Sequence, residues 1–254
     1  MKCGYIRDTW DCGDTLEVEE KHTGRYGAAG QKREQRKEPT PEDIMRQNQW
    51  KRVRDLRRLI KWNFTTGDSW ITLTYRKDER PSWGEMIKHM QKFIRQLQTR
   101  YRKYGWTLKY IWRPQIGKKG AIHIHILISA MSNAETRTEK IVKDLWTHGN
   151  PNMKVVYDLK NGDLAEYIAT PLQEWEPEEA KSFHPSRNLI RKEPARKTVR
   201  RRSLIDKQGR IREIKPKKGY YVDPNSIEQG INPVTGYAYR RYTLVKIQRG
   251  EMKT

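Results

Sequence analysis

The sequence has little of what a secreted or membrane-inserted protein is built from. It contains only two cysteines, Cys3 and Cys12, whereas small secreted domains use several cysteine pairs as a scaffold. It has no run of about 20 apolar residues that could cross a bilayer and no apolar N-terminal core typical of a signal peptide. We therefore expect a cytoplasmic protein without a membrane partner.

Acidic residues and nucleotide-binding motifs are also scarce. No phosphate-binding loop of the form G-x-x-x-x-G-K-[ST] occurs, which excludes an ATP-driven helicase of that type. Lys and Arg number 53 against 31 Asp and Glu, and the net charge is +22. Repulsion of this size favours binding to an anion. Nine Trp and thirteen Tyr lie among the basic residues, and rings combined with cations are typical of proteins that bind single-stranded nucleic acid.

Three regions of the chain differ in pattern. Residues 1–40 carry glycine and charge with little periodicity, which predicts an irregular N-terminal extension. Residues 41–190 alternate between strand-like and helix-like segments and form the predicted core. Residues 191–254 form a basic C-terminal region, in which only Tyr239–Ile247 is predicted as a strand.

The order of elements in the core predicts the fold class. Apolar spacing gives strand, helix, strand, strand, helix, strand, which is the order of the split βαβ or ferredoxin-like α+β fold. It predicts an antiparallel sheet with helices on one face, the other face free for a ligand, and N- and C-terminal extensions. The predicted strands are Trp70–Tyr75, Thr107–Ile116, Ala121–Ser129 and Met153–Leu159, and the helices follow a Ser82/Glu85 capping box and span Asn133–His148.

The third strand carries the most informative pattern, Ile122-His123-Ile124-His125-Ile126. Residues two apart on a strand share a face, so His123 and His125 point the same way and the isoleucines fill the opposite, buried face. Two imidazoles on a polar face form half of a divalent metal site. Two ordinary half-exposed histidines would give the same motif.

Gln115 is the candidate third ligand. It lies eight residues before His123, across a turn predicted at Gly117–Gly120. An odd or bulged loop would put both side chains on one face, whereas a strict four-residue loop would put them on opposite faces. With a common face, the amide oxygen completes a His/His/Gln set with open positions, suited to Mg²⁺ or Mn²⁺ as a Lewis acid. A surface amide is the alternative.

Tyr167 is the candidate nucleophile. It lies in a short helix predicted at Asp163–Thr170, which can pack beside the histidine-bearing face. A phenol with a pKa of about 10 is a weak nucleophile at neutral pH, and a nearby cation with basic surroundings would favour the phenolate. A tyrosine packed in the core is the alternative, and Tyr157, interpreted as a strand residue, is the second candidate.

These residues resemble the HUH endonuclease superfamily, which is named for its His-hydrophobic-His strand. The closer likeness is to single-tyrosine rolling-circle replication initiators (Rep proteins) of plasmids, phages and integrated elements, and it covers roughly Trp70–Leu189. Ile71–Tyr75 is similar to the first family motif. Gln115–His125 is similar to the second, in which the family has Glu or Gln at the first position, and Glu166–Thr170 is similar to the third.

The resemblance implies a specific chemistry. His123, His125 and Gln115 would hold the metal, and Tyr167 would attack single-stranded DNA at a replication origin, with a hairpin as one form of that origin. The products would be a 5′-phosphotyrosine and a free 3′ hydroxyl that primes a host polymerase in a bacterial or phage-infected cell. The family often has Lys in the third motif where this chain has Thr170, and Lys160 is a candidate replacement.

DNA binding is predicted for the basic residues that follow the core. Their side chains can neutralise phosphates and would make binding depend on salt, although a solvated tail has the same composition. The predicted DNA-binding residues are Arg187, Arg191, Lys192, Arg200, Arg201 and Arg202, with further lysines at Lys215–Lys218.

Three functions are consistent with the sequence. The first is the replication initiator, and the second is a transposase or mobilisation relaxase of the same superfamily. The third is a non-catalytic nucleic-acid-binding protein with structural histidines. Metal-dependent covalent attachment to DNA separates the third from the others, and recombination of the ends of a linear element separates the second from the first.

Overall fold

The computed structural model describes residues 4–24, 38–157, 163–177, 180 and 182–247. The chain forms two compact units, one from Met1–Asn48 with Arg191–Thr254 and one from Gln49–Ile190. Within the described residues, no helix has both the length and the apolar character needed to span a bilayer.

Eleven strands and four α-helices make up the described secondary structure. The helices are α1 (Pro41–Asn63), α2 (Trp83–Lys103), α3 (Thr138–Leu145) and α4 (Asp163–Ile168). The strands are β1 (Tyr5–Asp11), β2 (Thr15–His22), β3 (Ser69–Thr74), β4 (Tyr110–Ile116), β5 (Ile122–Ile128), β6 (Asn152–Val155), β7 (His184–Pro185), β8 (Ala195–Val199), β9 (Tyr220–Val222), β10 (Glu228–Ile231) and β11 (Ala238–Lys246).

The unit formed by Gln49–Ile190 is built on a five-stranded antiparallel sheet with the order β6-β3-β5-β4-β7. The strands predicted from the sequence occupy the first four places, and their arrangement with α2 and α3 is the split βαβ order. The predicted α+β, ferredoxin-like class is therefore confirmed. β7 extends the sheet beyond β4, where the rings of Trp112 and His184 stack at 3.9 Å.

One face of this sheet packs on α2 and α3. Ile124 and Ile126 of β5 are fully buried there, because every second residue of a strand points to the same side. The predicted capping box begins α2: Ser82 Oγ accepts a hydrogen bond from the Glu85 backbone N–H at 3.3 Å, and the Glu85 carboxylate accepts from Ser82 N–H at 2.8 Å. The helix then buries apolar residues at helical spacing: Met86, Met90, Phe93, Leu97 and Tyr101.

The other face is not left entirely free, as the sequence analysis expected. The apolar stripe of α1 needs cover, and it packs with α4 against Ile111 and Leu127, both fully buried. The next inward positions along β5 from Leu127 are His125 and His123. Helices therefore cover one part of this face and leave its polar part beside α4.

The unit formed by Met1–Asn48 and Arg191–Thr254 contains a second antiparallel sheet, with the order β10-β11-β2-β1-β8 and β9 also paired to β11. The prediction of an irregular segment at residues 1–40 was therefore wrong for β1 and β2. These strands escaped prediction because β2 carries Glu17, Glu19 and Glu20, and acidic residues are depleted in strands. Glu20 is fully buried and binds Arg7 and Arg240, so its charge is matched inside the sheet.

The C-terminal basic region contributes strands to this same unit. β8 begins four residues after Arg191 and pairs with β1 over five residues. β11 matches the strand predicted at Tyr239–Ile247 to within one residue at each end. The alternative of a solvated tail is therefore wrong for the described part of this region.

Candidate active site

The register between β4 and β5 decides where Gln115 points. Gln115 lies directly opposite His123, and Arg113 lies opposite His125, so all four side chains share one face of the sheet. Five residues, 117–121, connect the two strands. The connection is therefore odd, because Ala121 belongs to the turn and its carbonyl accepts from Gly117 N–H at 2.8 Å.

Helix α4 places Tyr167 over this polar face. Its hydroxyl lies 2.8 Å from Nε2 of His125 and donates to Oε1 of Gln115 at 3.4 Å. Three residues predicted from different elements therefore meet at one oxygen atom. His123 is the half-buried neighbour opposite Gln115, and among the described residues its side chain makes no hydrogen bond.

His125 is held from two sides. Thr72 on β3 places its hydroxyl 3.1 Å from Nδ1, and the Trp70 ring stacks parallel to the imidazole at 5.5 Å. In the tautomer with the proton on Nδ1, the Nε2 lone pair faces the hydroxyl of Tyr167. Burial, with the nearby His123 and Arg113, lowers the pKa of His125 to about 4. The ring is therefore neutral at pH 7, which is the form that accepts a hydrogen bond or binds a metal.

The phenol of Tyr167 is not activated by the protein alone. Burial raises its pKa above the usual value, and the charge of Arg113 offsets only part of this effect. The sequence analysis expected basic surroundings to favour the phenolate, and in the structure burial outweighs them. The side chain keeps 44% of its surface exposed, so a ligand can reach the hydroxyl.

Arg113 fixes the end of α4 and was missed by the sequence analysis. Its side chain is 1% exposed, and Nη1 donates to the carbonyls of Tyr167 at 3.2 Å, Ile168 at 2.9 Å and Thr170 at 2.7 Å. A helix leaves its last carbonyls without intrahelical donors, and a cation there is favourable. Among the described residues, Nε and Nη2 have no hydrogen-bond partner. Its place two residues before Gln115 is the signal that could have identified it.

The segment after α4 is pinned beside Gln115. Glu176 is buried, and its carboxylate accepts from the backbone N–H groups of Ile116 at 3.2 Å and Gln173 at 2.8 Å. The indole of Trp175 donates to the Ile116 carbonyl at 2.8 Å. These contacts hold the end of β4, and no motif in the sequence identified them.

Other predicted residues lie outside this cluster. Tyr157 follows the end of β6 instead of lying within the strand, and it is 80% exposed. Lys160 lies outside the described residues. Thr170, in the place where the family often has Lys, donates its hydroxyl hydrogen bonds to the carbonyls of Glu166 and Tyr167 at the end of α4.

The predicted DNA-binding residues do not form one cluster with the site. Arg187 is exposed after β7 in the unit that holds Tyr167. The others belong to the second unit, where they are exposed except for the half-buried Arg201. Their role in DNA binding stays a prediction; they are Arg191, Lys192, Arg200, Arg201 and Arg202.

The donor set fits a divalent cation. Nε2 of His125 and Oε1 of Gln115 already converge on one hydroxyl, and His123 is the adjacent imidazole on the same face. Both donor types are neutral lone-pair ligands with room for water or phosphate oxygens. Within the described residues no group of three or more His, Cys, Asp or Glu could hold a metal, so this set depends on the amide of Gln115.

Comparison with known families agrees with the position of this cluster. Residues 68–173 match a family model of replication-associated proteins of the ORF2 type. The matched segment, less than half of the chain, runs from β3 through α4 and contains Gln115, His123, His125 and Tyr167. Neither the curated proteins nor the solved structures contain a match. The family match supports a relationship to replication initiators and a role in starting replication.

Proposed function

We propose that this protein nicks single-stranded DNA at a replication origin and joins Tyr167 to the new 5′ end, which starts rolling-circle replication. One observation carries the proposal. The Tyr167 hydroxyl, the only hydroxyl in contact with both His125 Nε2 and Gln115 Oε1 among the described residues, lies at 2.8 Å and 3.4 Å from them. This contact lies within the segment that matches a replication-associated family.

The reaction exchanges one phosphodiester for another. The Tyr167 oxygen attacks phosphorus, the bond from phosphorus to the 3′ oxygen breaks, and the phenol proton is released as the leaving oxygen gains one. The products are a 5′-phosphotyrosine and a 3′ hydroxyl that a polymerase can extend. Because a phosphoester bond is kept, the later rejoining step needs no nucleotide, in agreement with the lack of a nucleotide-binding loop in the sequence.

The residues around Tyr167 divide the remaining work. A Mg²⁺ or Mn²⁺ ion held by His123, His125 and Gln115 would supply Lewis-acid polarisation of the scissile phosphate. The Nε2 lone pair of His125 can serve the phenol or a metal, but not both at once. Thr72 and Trp70 keep this ring in place for either use.

Arg113 sets the position of the nucleophile. Its hydrogen bonds to the carbonyls of Tyr167, Ile168 and Thr170 fix the end of α4. A displacement of about 1 Å can lower the rate roughly a hundredfold when a reacting group must be aligned. The short helix therefore depends on this buried cation to hold the hydroxyl beside His125.

A cleavage assay tests the proposal. Wild type, Tyr167→Phe and Tyr157→Phe are incubated with labelled single-stranded origin DNA, with Mn²⁺ or with a chelator, and separated on a denaturing protein gel. We expect a covalent band that needs the metal, survives in Tyr157→Phe and is absent in Tyr167→Phe. Tyr157 is the matched control because it is exposed and makes no contact with the cluster.

Other outcomes would revise the proposal in defined ways. A band that persists in Tyr167→Phe would move the nucleophile to another residue. Intact DNA binding without any band would favour the non-catalytic nucleic-acid-binding protein. A transposase or mobilisation relaxase would form the same band, and it would be distinguished by recombining the ends of a linear element.

A further inference from the structure

A large groove lies on one face of the sheet in the unit formed by Met1–Asn48 and Arg191–Thr254. It has a volume of about 1180 Å³, and segment 203–217 forms one wall. This exceeds the roughly 300–1,000 Å³ typical of small-molecule sites, which favours a polymeric ligand. Its floor is apolar and aromatic, formed by Leu16, Val18, Tyr242 and Leu244.

The lining of the groove is strongly basic. Seven cationic side chains line it against two acidic ones, Asp206 and Glu213. An excess of this size in one groove concentrates positive potential and attracts a polyanion. The cations are Arg7, Lys197, Arg210, Arg212, Lys215, Lys217 and Arg240.

Three of these cations are already matched by carboxylates. Arg7 and Arg240 both bind the buried Glu20, at 2.6 Å and 2.5 Å. Arg210 binds Asp206 at 3.0 Å. These pairs hold the sheet and one wall of the groove together, and their charges are largely neutralised within the protein.

The other four cations have no acidic partner among the described residues. Lys197, Arg212 and Lys215 are exposed, and within that part of the chain none of them makes a side-chain ion pair or hydrogen bond. Lys217 is also exposed, and its ammonium group lies 5.6 Å from the centre of the Tyr220 ring. Four neighbouring cations without carboxylates repel one another until an anion enters the groove.

We propose that this groove binds single-stranded DNA as a second DNA site, separate from the cluster around Tyr167. Lys197, Arg212, Lys215 and Lys217 contact phosphates, and the apolar floor with Tyr242 receives unpaired bases. Cations combined with an apolar or aromatic surface suit a single strand, because a duplex hides its bases in the stack. The inference rests on the proposed function in that DNA is the substrate. It also differs from the predicted basic run, since Lys192, Arg200 and Arg202 do not line the groove.

The test uses the full chain with Tyr167→Phe, so that binding is measured without cleavage. A groove variant, Lys197→Ala with Arg212→Ala and Lys215→Ala, is compared with a control, Lys192→Ala with Arg202→Ala and Lys218→Ala. Both variants lose three charges from exposed positions of the same unit, but the control residues do not line the groove. Fluorescence anisotropy follows a labelled single-stranded origin oligonucleotide at several salt concentrations, and thermal unfolding checks that both variants fold.

We expect the groove variant to bind the single strand roughly ten- to a hundredfold more weakly at about 100 mM salt. The slope of log affinity against log salt should become shallower by about 2, since each phosphate contact to a single strand contributes about 0.7. The control should lose less than about threefold. Equal losses in both variants, equal binding of the duplex form, or tighter binding of RNA of the same sequence would each overturn the proposal.

Cleavage separates this proposal from the proposed function. The groove variant with Tyr167 intact should cut saturating DNA at the wild-type kcat with a raised KM. Groove-dependent binding in a wild-type protein that never cuts DNA would overturn the nickase and support the groove. Normal cleavage with no groove-dependent binding would overturn the groove alone.

Discussion

The two units use polar residues in different ways. In the unit with Tyr167, neutral groups meet at hydrogen-bonding distance around one hydroxyl, and a single buried cation, Arg113, holds the helix that carries it. In the other unit, seven cations line one groove, and four of them have no carboxylate partner among the described residues. The first arrangement depends on short distances and the second on total charge. The first therefore suits a chemical step, and the second suits holding a long anion.

The largest expected effect is on the first arrangement, from removing a candidate metal ligand. We expect His125→Ala to lower metal-dependent cleavage roughly a thousandfold or more, because Lewis-acid stabilisation contributes several kcal/mol. His89→Ala is the matched control, since His89 is a half-buried histidine of the same unit that stacks on His148. Single-turnover rates at saturating DNA measure both variants, and a His125→Ala rate within tenfold of wild type would contradict the metal assignment.

A smaller effect is expected at Arg113, where position and charge can be separated. Arg113→Met leaves three carbonyls at the end of α4 without their donor. We expect kcat to fall roughly a hundredfold through misplacement of Tyr167 and the free energy of unfolding to fall by about 1–3 kcal/mol. Arg113→Lys keeps the charge and should recover part of kcat. Loss of stability in Arg113→Met with a wild-type kcat in the folded protein would show that this residue is only structural.

Thr72 sharpens the comparison further, because it touches the site through one hydrogen bond. Thr72→Val keeps the shape and removes the hydroxyl that contacts His125 Nδ1. Outer partners of a metal-binding histidine typically contribute 10- to 100-fold, so we expect about a tenfold weaker apparent affinity for Mn²⁺. Cleavage titrated with Mn²⁺ gives this value. Thr74→Val is the control, since Thr74 donates to the Asn150 carbonyl instead, and equal changes in both variants would contradict the role of Thr72.

The smallest effect is expected in the unit that depends on charge. Burial alone would raise the pKa of Asp8, but hydrogen bonds and charge from Arg196 and Lys21 lower it overall. A lowered carboxyl pKa adds stability that is complete above the unfolded pKa, near 3.9, and is lost as pH falls through the folded pKa. Asp8→Asn should therefore cost on the order of 1 kcal/mol at pH 7 and remove part of the acid dependence. Urea unfolding at pH 7 and pH 3 measures this, and identical losses at both values would contradict it.

The sequence predicted the parts of the fold in which one face is consistently apolar. The isoleucines and histidines of β5 alternate strictly, and the stripe of α2 follows a capping box, so both elements were found with their burial. The sheet order could also be predicted, because the order of the core elements matches a known pattern. Prediction failed for β1 and β2, whose acidic residues resemble a loop until their distant basic partners are known.

The candidate site was predictable in its residues but not in its energetics. His123, His125, Gln115 and Tyr167 came from spacing and family resemblance, and the register that unites them depends on one residue, Ala121, which no propensity assigns to the turn. Arg113 was missed because a charged residue in a strand is expected to face solvent. The raised pKa of Tyr167 reflects packing around the ring, which a linear pattern does not contain.

The most direct test of the central claim is to identify the amino acid that becomes attached to DNA. The Mn²⁺-dependent product on single-stranded origin DNA is digested with protease and nuclease, and the modified peptide is sequenced by mass spectrometry. We predict a nucleotide 5′-phosphate on the oxygen of Tyr167 and on no other residue. Attachment at Tyr157 or elsewhere, or cut DNA with a free 5′ phosphate and no modified peptide, would contradict the account.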